Sequence, residues 1–143
     1  MSAFPSHVFV STQRVYFDML DLLETLHNAR FLLLFERART DFWREVGGGR
    51  AAHDFDWPYL VARNEIDYRV PITTEQDVQV TVTIERIGRS SLTFAHSVIL
   101  ADERVSASGK TVIVRVDASH FHPVPWSEGF RNMLAAWVQP KGG

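Results

Sequence analysis

The chain has 143 residues, of which 45% are hydrophobic and 22% charged, and its formal net charge is −2 at neutral pH. These proportions are ordinary for a globular protein, and the length suits a single domain over residues 1–143. The absence of cysteine excludes disulfides, thiolate metal sites and a cysteine nucleophile, and the lack of a lysine-arginine tract argues against nucleic acid as a partner.

The first ten residues, MSAFPSHVFV, lack the basic start and the long apolar run of a signal peptide. No apolar stretch in the sequence reaches the length of about 20 residues that a membrane-spanning helix requires. We therefore expect a cytoplasmic protein that has no membrane partner.

The predicted elements are, in chain order, a strand, a long helix, four strands with short links and a short amphipathic helix. Their predicted bounds are residues 8–17, 28–46, 59–70, 78–84, 92–100, 110–116 and 128–138.

Alternation with period two is the evidence for the strands, and it is clearest where Val78, Val80, Val82 and Ile84 alternate with polar residues. Turns are predicted at residues 87–89 and in the polar run 101–109. Four consecutive strands with short links indicate an antiparallel meander.

The long helix is predicted to end at the glycine triplet 47–49. Three consecutive leucines, 32–34, make its first half apolar on nearly every side, which is typical of a buried helix. A sheet must then wrap around that helix. The sequence therefore predicts an α+β fold with a five-stranded antiparallel sheet around a long central helix.

The stretch VYFDMLDLLETLHNARFLLLFERARTDFWREVG, residues 15–47, resembles the 4-hydroxybenzoyl-CoA thioesterase-like branch of the hotdog superfamily. In that branch a loop of the form D-x-D-x-x-G-x-V-x-[NH]-x-x-[YF] leads into the central helix. Asp21 falls on the second aspartate, Leu26 on the apolar position, Asn28 on the [NH] position and Phe31 on the aromatic. The segment FERART, residues 35–40, is similar to the signature of the helix itself.

The resemblance implies an acyl-CoA thioesterase that works as a homodimer or homotetramer, with its site where two subunits meet. It implies that Asp21 is the nucleophile or the general base, and that the backbone N–H at Asn28 binds the oxyanion. No separate cofactor is implied, because coenzyme A is part of the substrate.

The sequence departs from the family loop at three positions. Met19 replaces the first aspartate, Glu24 replaces the glycine, and His27 adds an imidazole. Glu24 is either a solvated loop residue or an assistant to Asp21, and His27 either polarises the carbonyl or simply forms hydrogen bonds at the helix start. Leucines 20, 22 and 23 are expected to leave the Asp21 carboxylate poorly solvated and therefore more basic.

Coenzyme A carries phosphates, so basic residues should line its groove. Arg86 and Arg89 at a predicted turn, together with Arg63, are the candidates. His96 lies on an apolar strand face and is interpreted as a core or interface histidine with satisfied hydrogen bonds. His120 and His122 are too isolated to indicate a metal site, and none is expected.

Two alternative functions stay open at this level. The chain could hydrolyse thioesters of an acyl-carrier protein instead of coenzyme A. It could also bind acyl-CoA without catalysis, an alternative that the altered loop motivates.

Overall fold

The computed structural model describes residues 4–47 and 58–141. Two residues of the predicted helix-ending triplet, Gly48 and Gly49, lie outside the described residues. Five strands and two α-helices are present: β1 Phe9–Val15, α1 Asn28–Gly47, β2 Tyr59–Tyr68, β3 Gln76–Ile87, β4 Ser91–Ile99, β5 Val105–Arg115 and α2 Glu128–Leu134.

Every predicted element is therefore found, and the largest differences from the predicted bounds are in β5 and in the final helix. β5 begins at Val105, inside the predicted turn 101–109, because Val105 pairs with Ile99 of β4 and Ala107 is fully buried and pairs with both β4 and β2. The final helix is shorter than predicted: α2 ends at Leu134, and a 3-10 turn continues to Trp137.

The sheet is antiparallel throughout and its strand order is β1-β3-β4-β5-β2. The prediction of a four-strand meander was wrong for β2, which pairs with β5 and not with β3. The link 69–75 is responsible, because it crosses the end of the sheet instead of making a tight turn. The backbone N–H groups of Arg69 and Val70 both donate to the carbonyl of Ser106, which fixes the start of this crossing on β5.

The helix α1 lies against the sheet along one face. Its buried side chains recur at helical spacing and are Phe31, Leu34, Phe35, Ala38, Arg39 and Phe42. Leu32 is exposed and Leu33 is half-buried, so the prediction of a helix buried on most sides was too broad for a single chain. No helix in the described ranges is long and apolar enough to span a membrane.

Gly109 on β5 has close neighbours from both β2 and α1. A Cβ atom at this position would overlap the carbonyl oxygen of Glu65 and would lie 2.9 Å from Cε2 of Phe35. The missing side chain thus leaves room for the backbone of β2 and for the Phe35 ring of α1.

A polar network crosses the same core. Arg39 on α1 donates from Nη1 to Oγ1 of Thr111 at 3.0 Å, and the same Nη1 is 3.2 Å from Nε2 of His96. Nδ1 of His96 is 3.1 Å from the carbonyl oxygen of Thr81, so Nδ1 carries the proton and Nε2 accepts from Arg39. Burial, and then the charge of Arg39, lower the pKa of His96 to about 3. The interpretation of His96 as a satisfied core histidine is confirmed.

We expect Gly109→Ala to lower the free energy of unfolding by about 1–3 kcal/mol, because neither a strand backbone nor a buried ring can move aside freely. Chemical denaturation measures this change. The matched control is Gly129→Ala in α2, where a Cβ would meet nothing within 4 Å and where alanine favours the helix by up to about 1 kcal/mol. Equal stability of the two variants would contradict the packing argument.

The free energy of unfolding should also decrease as the pH is lowered, because of His96. The folded pKa of about 3 lies below the ordinary value of 6.5, so the unfolded chain binds the proton first and the folded state loses stability as pH drops below 6.5. The contribution is at most about 1.4 kcal/mol per pH unit. Denaturation curves between pH 7 and pH 4 should show a shallower pH slope for His96→Gln than for the parent chain. A parental slope in His96→Gln would refute the assignment.

Candidate active site

A tight loop connects β1 to α1 and presents Asp21. Leu20 and Leu26 form an isolated antiparallel bridge that closes the loop. The N–H of Asp21 donates to the carbonyl of Thr25 at 2.9 Å, and the N–H of Leu26 donates to the carbonyl of Ile72 at 2.8 Å. The loop is thus closed on itself and fastened to the β2–β3 link.

The two oxygens of the Asp21 carboxylate have different surroundings. Oδ1 accepts the backbone N–H of Leu23 at 2.8 Å and faces the N–H and hydroxyl of Thr25 at 3.4 and 3.5 Å. Within the described ranges Oδ2 has no hydrogen-bond partner. One oxygen therefore fixes the orientation of the carboxylate, and the other is left available to a ligand.

The leucines next to Asp21 do not cover it in this chain. Leu22 is fully exposed (102%) and Leu23 is 81% exposed, while Asp21 itself is half-buried. The expectation of a carboxylate desolvated by these leucines was wrong for the single chain. The reason is the tight turn, which points both side chains outward.

Glu24 occupies the position of the family's glycine and adopts a left-handed backbone conformation, with φ of 60°. This conformation favours glycine, so Glu24 adopts it at a cost in free energy. Its carboxylate is exposed and lines a cleft beside Asp21.

The start of α1 follows directly after the loop. Nδ1 of His27 accepts the N–H of Ala29 at 3.2 Å, and its carbonyl accepts the N–H of Arg30 at 2.9 Å. His27 therefore caps the helix, as the simpler of its two interpretations held. The N–H of Asn28 has no acceptor in the part of the chain that the structure describes, and it lies at the positive end of the helix dipole.

Tyr68, at the end of β2, reaches across to the helix start. Its hydroxyl donates to the carbonyl of Asn28 at 3.0 Å, and its ring packs edge-on against Phe31 at a centroid distance of 5.3 Å. Sequence reasoning missed this residue and its neighbour Arg69, since no local pattern relates β2 to a helix start 40 residues earlier.

Asp21 lines two clefts. The smaller, of about 340 Å³, also includes His27, Asn28, Tyr68 and Arg69. The larger, of about 880 Å³, lies on the other side of the loop and is lined by apolar and acidic residues, among them Phe17, Leu20, Leu22, Asp18, Glu24 and Glu75. The loop thus places one carboxylate at the junction of a basic and an acidic surface.

The three arginines predicted to bind coenzyme A are not among the residues that line either cleft. Arg63 lies on β2 and pairs with Glu65. Arg86 and Arg89 are exposed and lie near the end of β3 that is far from Asp21. The 12 residues of β3 span roughly 40 Å. Arg69 is the arginine that the fold brings to the smaller cleft. No group of three His, Asp or Glu residues in the described ranges is arranged to hold a metal ion.

Comparison with known proteins gives consistent results. The model of the thioesterase-like superfamily matches residues 15–138. A predicted thioesterase from Bacillus stearothermophilus is 25% identical, with 94% of this chain and 99% of that chain covered and a TM-score of 0.82. No curated protein matches the chain.

Two more distant structures share the fold. A protein from Staphylococcus aureus solved in complex with CoA is 16% identical, with 100% of this chain and 92% of that chain covered and a TM-score of 0.82. A 1,4-dihydroxy-2-naphthoyl-CoA thioesterase from Synechocystis is 14% identical, with 93% of this chain and 99% of that chain covered and a TM-score of 0.81. The predicted hotdog fold is confirmed.

We expect Glu24→Gly to raise the free energy of unfolding by about 1 kcal/mol, because glycine adopts the left-handed conformation without strain. Glu24→Ala, the matched control, removes the same carboxylate but keeps the strain and should give no such gain. Thermal unfolding of the two variants measures the difference. Equal stabilities would show that the loop is not strained at this position.

Proposed function

The chain belongs to the thioesterase-like superfamily and is a thioester hydrolase; from this premise we propose that it hydrolyses acyl-CoA to a free acid and coenzyme A. In this proposal Asp21 is the nucleophile or the general base, and the N-terminus of α1 polarises the thioester carbonyl. The Staphylococcus aureus protein of the same fold, solved with CoA, supports the choice of coenzyme A.

The observation that carries the proposal is the pair of unused hydrogen-bonding groups at one cleft. Oδ2 of Asp21 and the backbone N–H of Asn28 both lack a partner among the described residues, and both residues line the smaller cleft. An unpaired acceptor next to an unpaired donor suits a thioester, whose carbon is electrophilic and whose oxygen gains negative charge during attack.

The proposed chemistry follows from these two groups. The carbonyl oxygen accepts the N–H of Asn28, and the helix dipole stabilises the negative charge that develops there. One such donor lowers the barrier by about 3 kcal/mol. Asp21 either attacks the carbonyl carbon through Oδ2 or removes a proton from a water that attacks it. In the first route the carbon–sulfur bond breaks to give an acyl–aspartyl anhydride, which one water then hydrolyses to the free acid and the Asp21 carboxylate. In the second route the attacking water becomes part of the free acid as the carbon–sulfur bond breaks. In both routes coenzyme A leaves as the thiol with a proton that comes from water, and one water is consumed.

The neighbouring residues have supporting roles in this proposal. His27 holds Ala29 and so fixes the first turn of α1, and Tyr68 holds the Asn28 carbonyl. Glu24 shapes the loop through its backbone. Arg69 offers a positive charge at the smaller cleft.

We propose that the active unit is a homodimer or a homotetramer. β2 is an edge strand of the sheet, so one of its sides is available to pair with a second copy of the chain. Tyr68 is the last residue of this strand, so a junction along β2 would lie beside the smaller cleft. Residues 1–143 as one domain and a cytoplasmic location also stay proposals, the latter in keeping with the absence of cysteine.

Asp21→Asn should lower kcat on acyl-CoA by at least about 100-fold, because the amide can neither attack nor accept the proton of water. Its Oδ1 can still accept the N–H of Leu23, so the loop should remain folded. Steady-state hydrolysis, followed by release of the coenzyme A thiol, measures the effect.

Asp77→Asn is the control, since it changes an exposed aspartate whose ion pair with Arg14 contributes little. It should keep the parental kcat. Parental activity in Asp21→Asn would refute the role of Asp21. Tight binding of acyl-CoA by the parent chain without release of thiol would instead favour the non-catalytic alternative.

A further inference from the structure

Asp21 lies at two clefts whose other charged residues differ in sign. The charged residues that line the larger cleft, Asp21, Asp18, Glu24 and Glu75, are all acidic. The smaller cleft combines Asp21 with Arg69, His27 and the positive end of α1. A thioester held at Asp21 has two arms, the acyl group and coenzyme A, and the two clefts give each arm a separate environment.

The charges that line the two clefts indicate which part of the substrate each cleft binds. Coenzyme A carries several phosphate charges, which the acidic lining of the larger cleft would repel and which Arg69 and the helix start would attract. The coenzyme A arm therefore lies on the side of the smaller cleft, and the acyl arm enters the larger one.

The residues that line the larger cleft then limit the length and the charge of the acyl group that it can bind. Leu22 is fully exposed in this chain and Phe17 is 77% exposed, so an apolar ligand would remove a large apolar surface from water. The volume of about 880 Å³ is at the upper end of ordinary ligand clefts and exceeds what a short acyl group fills. The carboxylates around it oppose a second negative charge on the acyl group.

We infer that the larger cleft selects an uncharged aliphatic acyl group of about eight or more carbons and rejects acyl groups that end in a carboxylate. The reason is that Phe17 and Leu22 face a cleft whose charged residues are all acidic. The inference rests on the proposed function and names its substrate class.

The test compares kcat/KM for butyryl-, hexanoyl-, octanoyl- and decanoyl-CoA with that for adipyl-CoA, which has the length of hexanoyl-CoA and a terminal carboxylate. Within the saturated series, kcat/KM should rise by up to about fourfold for each added methylene, the factor that corresponds to burial of one methylene. Adipyl-CoA should be at least tenfold slower than hexanoyl-CoA.

Substitutions in the larger cleft test whether its lining causes these preferences for chain length and charge. Leu22→Ser should flatten the dependence on chain length, whereas Leu32→Ser, a matched change of an exposed leucine on α1 that does not line the cleft, should leave it as in the parent. Glu75→Gln should narrow the gap between adipyl- and hexanoyl-CoA.

Four results would overturn the inference. A flat profile in the parent chain, or adipyl-CoA turned over as fast as hexanoyl-CoA, would refute it and leave the proposed acyl-CoA hydrolysis intact. Dissociation of an oligomer by Leu22→Ser, seen by light scattering, would show that this apolar surface is a contact between copies of the chain. Failure to hydrolyse any of the esters would contradict the proposed function itself, and the inference with it.

Discussion

The hydrogen bond from the N–H of Leu26 to the carbonyl of Ile72 is the constraint on which the candidate site depends. It joins the loop after β1 to the link that carries the chain from β2 to β3. Because the bridge between Leu20 and Leu26 closes the loop immediately before α1, the same attachment holds the Asp21 carboxylate and the first turn of the helix together. A loop of this length without such attachments would be free to turn the carboxylate away from the helix.

The position of the helix is set from the other side by the core. Gly109 leaves room on β5 for the Phe35 ring of α1, and the Arg39 guanidinium is hydrogen-bonded to the neutral side chains of Thr111 and His96. A packed interior transmits small displacements. The N–H donor at Asn28 is therefore held in position by residues far from it in sequence. The residues of the packed core are not the residues of the exposed site.

The loop itself shows how a departure from the family motif is accommodated. Glu24 stands where the motif has glycine, and it adopts the left-handed conformation that glycine adopts without strain. Its carboxylate also changes the surface, because Glu24 joins Asp18 and Glu75 in making one side of Asp21 acidic. Leu22 lines the same cleft, whereas His27, another departure from the motif, lines the smaller cleft.

The sequence by itself predicted the elements and the two residues at the centre of the candidate site. Period-two alternation located the strands, and the loop motif pointed to Asp21 and Asn28, because both signals are local in the chain. Only the tertiary structure decided that β2 lies beside β5, that Tyr68 and Arg69 reach the helix start, and that Arg63, Arg86 and Arg89 line neither cleft. It also decided that Leu22 and Leu23 point outward. These outcomes depend on the direction of a turn and on contacts across 40 or more residues, which residue type and spacing do not encode.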